Sequence, residues 1–140
     1  MSIAKRLSLV GLVLGGVATG IGIDRVAFAQ QPAPQIKRTV LQRADDPGNP
    51  SKYEAVMAIA EIPPGGTSGR HTHPGIELAY VLDGSISLQH DGEAAKSYKA
   101  GDFMQNVAVI HNATNTGKKT VKILAVYIVE KGKPMAEPAK

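Results

Sequence analysis

Polar and apolar positions along this chain alternate with a period of two rather than the three-to-four spacing of a helix. In Ser85-Ile86-Ser87-Leu88-Gln89 the apolar pair faces one side and the polar residues the other, as in a half-buried strand. Thr39 to Gln42, Tyr53 to Ile62, Glu77 to Leu82, Ser85 to Leu88, Ala94 to Lys99 and Val107 to Ile110 read as strands. Val121 to Val129 is a longer one, rich in β-branched residues. Turn chemistry separates them at Asp45-Asp46-Pro47-Gly48-Asn49-Pro50, Pro63-Pro64-Gly65-Gly66 and Gly101-Asp102. Asp83-Gly84, between two strands, predicts a tight hairpin. No window combines helical periodicity with caps. Short strands at roughly ten-residue spacing argue for an all-β sandwich or barrel.

The chain's two ends depart from this pattern. Lys5 and Arg6 precede an uncharged apolar stretch from Leu7 to Ile23, and Ala27-Phe28-Ala29 has the small-large-small shape that signal peptidase accepts. A signal peptide over residues 1–29 is expected, with export by a Sec-type route to a bacterial periplasm or beyond. An uncleaved anchor is the competing reading, but the stretch is short, glycine-rich and followed at once by Asp24-Arg25. Residues 30–38, beginning Gln-Gln-Pro-Ala-Pro-Gln, read as a flexible leader, 39–134 as the folded domain and 135–140 as a polar, proline-containing tail.

A chain of 140 residues fits one domain. It carries 16 basic and 12 acidic residues, a net charge of +4. Removal of Lys5, Arg6, Arg25 and Asp24 leaves 13 and 11, so the mature charge is near +2. That charge is too small and too scattered for a nucleic-acid partner, and no membrane partner is expected once the signal is removed. There is no cysteine, so any metal must be bound by nitrogen and oxygen. Tyr53, Tyr80, Tyr98, Phe103 and Tyr127 lie in or beside strands, where core and sheet packing is the expected role.

Candidate chemistry is concentrated between Gly65 and Gly84. His71 and His73 are two apart, so on an extended segment both imidazoles leave on one face, and Glu77 shares their parity. Two imidazoles and a carboxylate converging on one point suit a borderline divalent cation, and His111 on a later segment offers a third imidazole. Alone, a His-x-His pair is more often a hydrogen-bonded or surface pair. The frame around it is more specific. Gly65, five residues, His71, one residue, His73, three residues, Glu77, six residues and Gly84 match the first motif of the cupin superfamily position by position. The chain resembles small single-domain cupins of the quercetin-dioxygenase-like kind from about Thr39 to Pro134, and the resemblance implies a single-domain jelly-roll barrel.

The second cupin motif is altered. Gly101-Asp102 opens it and His111 with Asn115 closes it at the usual separation, but Val107 and Val109 stand where Pro and Gly are expected. The interval from Gly101 to His111 is also one residue short. A one-residue slip turns every following side chain to the opposite face, so a turn near Gln105-Asn106 is expected to absorb it and keep His111 inward. By resemblance, His71, His73, Glu77 and His111 hold one divalent transition metal: manganese, iron, nickel, copper, cobalt or zinc.

Two functions fit. One is a metal-dependent, dioxygenase-like enzyme acting on a small organic molecule, with Glu77 also able to act as general base. The other is a non-catalytic module that binds a metal or small molecule. A metal-independent sugar-nucleotide epimerase on the same fold ranks below both. By resemblance a homodimer is expected, associating through an edge strand, with the Asp45 to Pro50 loop and the N-terminal strand at Thr39 the easiest places for a swap. His90, before the Asp91-Gly92 turn, is assigned to the surface with no ligand role, and Arg70 to solvent or an edge. Met57, Ile59, Gln105 and Tyr127 are the alternation-based guess for residues lining the barrel.

Overall fold

The computed structural model describes residues 35–140. The leader read over 1–29 therefore lies outside the described residues.

Alternation sets the faces. In β2 (Tyr53–Ile62) the even positions Glu54, Val56, Ala58, Ala60 and Ile62 are buried, while Met57 is exposed and Ile59 half-buried on the other side. In β9 (Val121–Glu130) the odd positions Val121, Ile123, Ala125, Tyr127 and Val129 are buried. These two strands pair antiparallel along their full length and form the centre of a five-stranded sheet. β1 (Lys37–Asp45) lies at one edge of that sheet, with β4 (Gly75–Asp83) and β7 (Phe103–Val107) beyond β9, in the order β1-β2-β9-β4-β7.

A second five-stranded sheet holds β3 (His71–Thr72), β5 (Ser85–His90), β6 (Lys96–Lys99), β8 (His111–Thr114) and β10 (Glu137–Pro138), in the order β10-β3-β8-β5-β6. The described residues contain no helix. From β2 to β5 and from β6 to β10 the chain passes back and forth between the sheets, which gives an all-β jelly roll. The inner faces bury Val56, Ile62, Val81, Ile86, Leu88 and Val121 among others, each worth about 1.5–3 kcal/mol relative to exposure. Alanines at 58, 60, 79, 113 and 125 keep the middle of the barrel shallow, which leaves space beside the histidines.

Two turn assignments need correction. Asp83-Gly84 is not a hairpin, because β4 pairs with β7 and β9 while β5 pairs with β6 and β8. It is an arch that carries the chain from one sheet to the other. Gly84 has φ 81°, and a Cβ there would sit 2.8 Å from Val121 Cγ2, so local sequence alone could not distinguish this arch from a hairpin. Gln105-Asn106 is not a turn either: both residues lie in β7, paired in regular register with Leu78 and Glu77. The shortened interval is absorbed after β7, where Ala108 takes φ 48° before His111 opens β8. Residues 135–140, read as a tail, include β10, which pairs with β3.

Candidate metal centre

β3 and β8 pair with His71 directly opposite His111. His73 follows β3, and Glu77 projects from β4 in the facing sheet. All four side chains are buried. The imidazole centroids lie 4.3 Å apart for His71 and His111, 4.9 Å for His71 and His73, and 5.1 Å for His73 and His111. One nitrogen from each of the three rings lies within 4.8 Å of the others, close enough for a single ion to touch all three. Glu77 Oε2 lies 3.2 Å from His73 Nε2 and 3.5 Å from His111 Nε2.

The protons on these rings are fixed by the backbone. His71 Nδ1 meets Gly69 O at 2.9 Å, His73 Nδ1 meets Met135 O at 2.5 Å and His111 Nδ1 meets Val109 O at 3.0 Å. A carbonyl can only accept, so each Nδ1 carries a proton and each Nε2 of a neutral ring keeps a lone pair. His73 Nε2 is shut away from solvent and has no hydrogen-bond partner. A lone pair held 3.2 Å from a carboxylate oxygen is repulsive unless a cation, proton or metal ion, lies between them. The donor set therefore fits a metal ion on its own geometry.

The charge states agree. Burial, opposed by the Gly69 hydrogen bond and helped by repulsion from His111, Arg38 and His73, lowers the His71 pKa to about 4. Its ring is neutral at pH 7. Burial works against ionisation of Glu77, yet its contacts with the imidazoles of His111 and His73 and the hydrogen bond from the Asn106 amide together hold it well below the ordinary carboxylate value. Three imidazoles and one carboxylate suit a borderline divalent ion of the first transition row.

Three polar residues around this cluster escaped the sequence reading. Asn106 is buried, and its Nδ2 donates to Glu77 Oε2 at 2.5 Å. It had been read as part of a turn, and only the β4–β7 register, which sets Glu77 beside Asn106, reveals its role. His90 is not a free surface residue: its Nε2 donates to Asn106 Oδ1 at 2.7 Å and its ring centroid is 6.0 Å from that of His111. It remains outside the three-histidine set. Arg38 faces the site from β1, opposite inward-facing Ala60, and its Nη2 donates to His71 Nε2 at 3.3 Å. The strand expected from Thr39 begins two residues earlier, at Lys37, and so includes Arg38.

The remaining assignments divide. Tyr127 is inward and pairs in register with Glu77, whereas Met57, Ile59 and Gln105 belong to the opposite face of their strands and do not line the barrel. Arg70 is exposed and ion-paired to Asp91 at 2.5 Å. Asn115 is a staple rather than a ligand, donating to Ile62 O at 2.8 Å and Lys119 O at 2.7 Å.

Comparison with known proteins agrees with this fold. Residues 58–127, half of the chain, match the family model described as the cupin domain. The chain belongs to the cupin family. A Thermotoga maritima protein named oxalate-binding protein is 34% identical over 76 residues, covering 53% of this chain and 62% of that protein's length. Among solved structures, a double-stranded β-helix protein from Klebsiella pneumoniae superposes with TM-score 0.61 at 18% identity, over 79% of this chain and 90% of the other. A Thermotoga maritima protein described as a predicted oxalate decarboxylase gives TM-score 0.55 at 27% identity, over 68% and 80%.

Proposed function

We propose that this chain is an exported cupin that holds one divalent transition metal through His71, His73, His111 and Glu77 and presents it to a small organic ligand with oxygen donors. The observation that carries the metal reading is the unpartnered His73 Nε2 beside Glu77, with all three Nδ1 atoms already committed to carbonyls. The relative named oxalate-binding protein supports a small-molecule ligand. Bound there, the ion would supply a Lewis acid and a template. The chain's own residues orient it: Gly69, Val109 and Met135 fix the imidazoles, and Asn106 holds Glu77 in place. Elemental analysis of the mature protein from its native compartment tests the reading, with about one transition-metal ion per chain expected. Chelator should lower the melting temperature by several degrees. His71→Ala should abolish most of that difference and His90→Ala should preserve it. Equal behaviour of the two variants contradicts the assignment.

A dioxygenase-like activity is the second reading, favoured because four protein donors on a six-coordinate ion leave room for two further ligands. Oxygen uptake by iron-, manganese- or nickel-loaded protein over a panel of phenols and diketones tests it, and no uptake with any of them leaves binding as the function. N-terminal sequencing of the mature chain tests export, with Gln30 expected as the first residue. The functional unit is proposed to be a homodimer.

A further inference from the structure

Glu77 is tied toward the barrel surface by a chain of side-chain hydrogen bonds that crosses from one sheet to the other. Register places its members. β4–β7 pairing sets Glu77 beside Asn106 in the first sheet, and β5–β8 pairing sets His90 beside His111 in the second. Asn106 Nδ2 donates to Glu77 Oε2 at 2.5 Å, and His90 Nε2 donates to Asn106 Oδ1 at 2.7 Å. Asn106 is buried, so both ends of its amide depend on these partners rather than on solvent. The His90 side chain is 17% exposed, and its Nδ1 lies 3.8 Å from Glu93 Oε2 at the outer end of the chain.

Donor chemistry allows the amide one orientation. The ionised Glu77 carboxylate can only accept, so Asn106 must present its NH2 to it. The amide carbonyl then needs a donor, and the His90 imidazole supplies one. The oxygen that receives the amide proton, Oε2, is also the one that lies 3.2 Å from His73 Nε2 and 3.5 Å from His111 Nε2. Without the His90 donor, Asn106 Oδ1 would be a buried acceptor with no partner, and a flipped amide would set that oxygen against the carboxylate. Either outcome loosens Glu77. The amide transmits orientation but no proton, because its nitrogen has no lone pair free to accept one. The chain is a brace rather than a proton path.

We infer that His90 is a positioning residue for the metal centre: through the Asn106 amide it selects the Glu77 oxygen that faces the three imidazoles and holds it there. This rests on the metal reading above and adds a residue outside the ligand set. It also accounts for a fourth histidine, 6.0 Å from His111 between ring centroids, that is not a ligand, since its Nε2 is committed to Asn106.

Two measurements test the brace. In metal-free wild type, the two Asn106 Nδ2 protons should be well separated in NMR shift, because one points at a carboxylate, and slow to exchange with solvent. His90→Ala should narrow that separation and speed exchange, and His90→Gln, whose side-chain amide offers a donor, should restore much of both. Zinc release into excess chelator should be about tenfold faster in His90→Ala and in Asn106→Leu, the scale of a lost outer partner of a metal ligand, and near the wild-type rate in His90→Gln. That loss is small enough for the melting temperature of His90→Ala to keep its response to chelator. Wild-type Asn106 resonances in His90→Ala, or an unchanged rate of zinc release, overturns the positioning role alone. Release from His90→Gln as fast as from His90→Ala overturns it too, because the effect would then belong to packing rather than to the donor. Wild type that takes up no zinc removes the metal reading and the positioning role with it.

Discussion

Glu77 and His71 belong to opposite charge classes, yet acid acts on both in the same direction. The folded state holds Glu77 ionised and His71 neutral, so each binds a proton less readily than in the unfolded chain. For His71, lowered from 6.5 to about 4, the stabilising contribution is complete above pH 6.5 and is lost as pH falls toward 4. The Glu77 contribution is complete above its ordinary value of 4.5 and is lost as pH falls through its lower folded value. Metal-free protein should therefore lose stability steadily below about pH 6.5, by at most about 3 kcal/mol at pH 4 from His71 alone. Denaturant midpoints of wild type and His71→Gln across that range check this. A variant with the same pH slope as wild type would show that the His71 environment is not the cause.

At the scale of elements, the site depends on how β7 passes into β8. β7 keeps regular pairing with β4 through Val107, so Asn106 stays beside Glu77, and His111 must then face inward after three connecting residues. Ala108 absorbs the shortfall with φ 48°, a left-handed conformation that disfavours a side chain. Ala108→Gly should relieve that strain and stabilise the protein by about 0.5–1 kcal/mol, after allowing for glycine's greater freedom when unfolded. A melting temperature higher by a few degrees, with metal content unchanged, is the expected result. A lower one would mean that the turn is not strained.

For the whole molecule, the outer face of the first sheet is the unusual surface. Leu78, Tyr80, Leu82, Phe103, Val107 and Ile128 are exposed there, and Phe103 retains 80% of its accessible surface. β4–β7 pairing sets Tyr80 against Phe103, and β4–β9 pairing sets Tyr80 against Leu124, so these side chains form a contiguous patch. Continuous apolar surface of this kind favours association, and the proposed homodimer would cover it. The edge strand β1 adds exposed Val40 and Leu41. Phe103→Asp should convert a dimer to a monomer, halving the mass measured by sedimentation equilibrium while the metal centre stays loaded. Wild type that sediments as a monomer would refute the dimer.

What the sequence determined by itself was whatever depends on spacing along one segment. Period-two alternation specified strands, β2 to its exact ends, because burial in a sheet follows the two-residue repeat. His71, His73 and Glu77 were legible for the same reason: they lie within seven residues of one another in a recognisable glycine frame. Tertiary structure decided everything that depends on which strands become neighbours. Asp83-Gly84 has the composition of a hairpin but makes an arch, because its flanking strands find better partners in opposite sheets. Arg38 and Asn106 reach the cluster from 33 residues before His71 and 29 after Glu77, and Met135 O from 62 after His73. No local pattern encodes such contacts. They follow from register between strands distant in sequence, and that register is set by burying the inner faces of both sheets together.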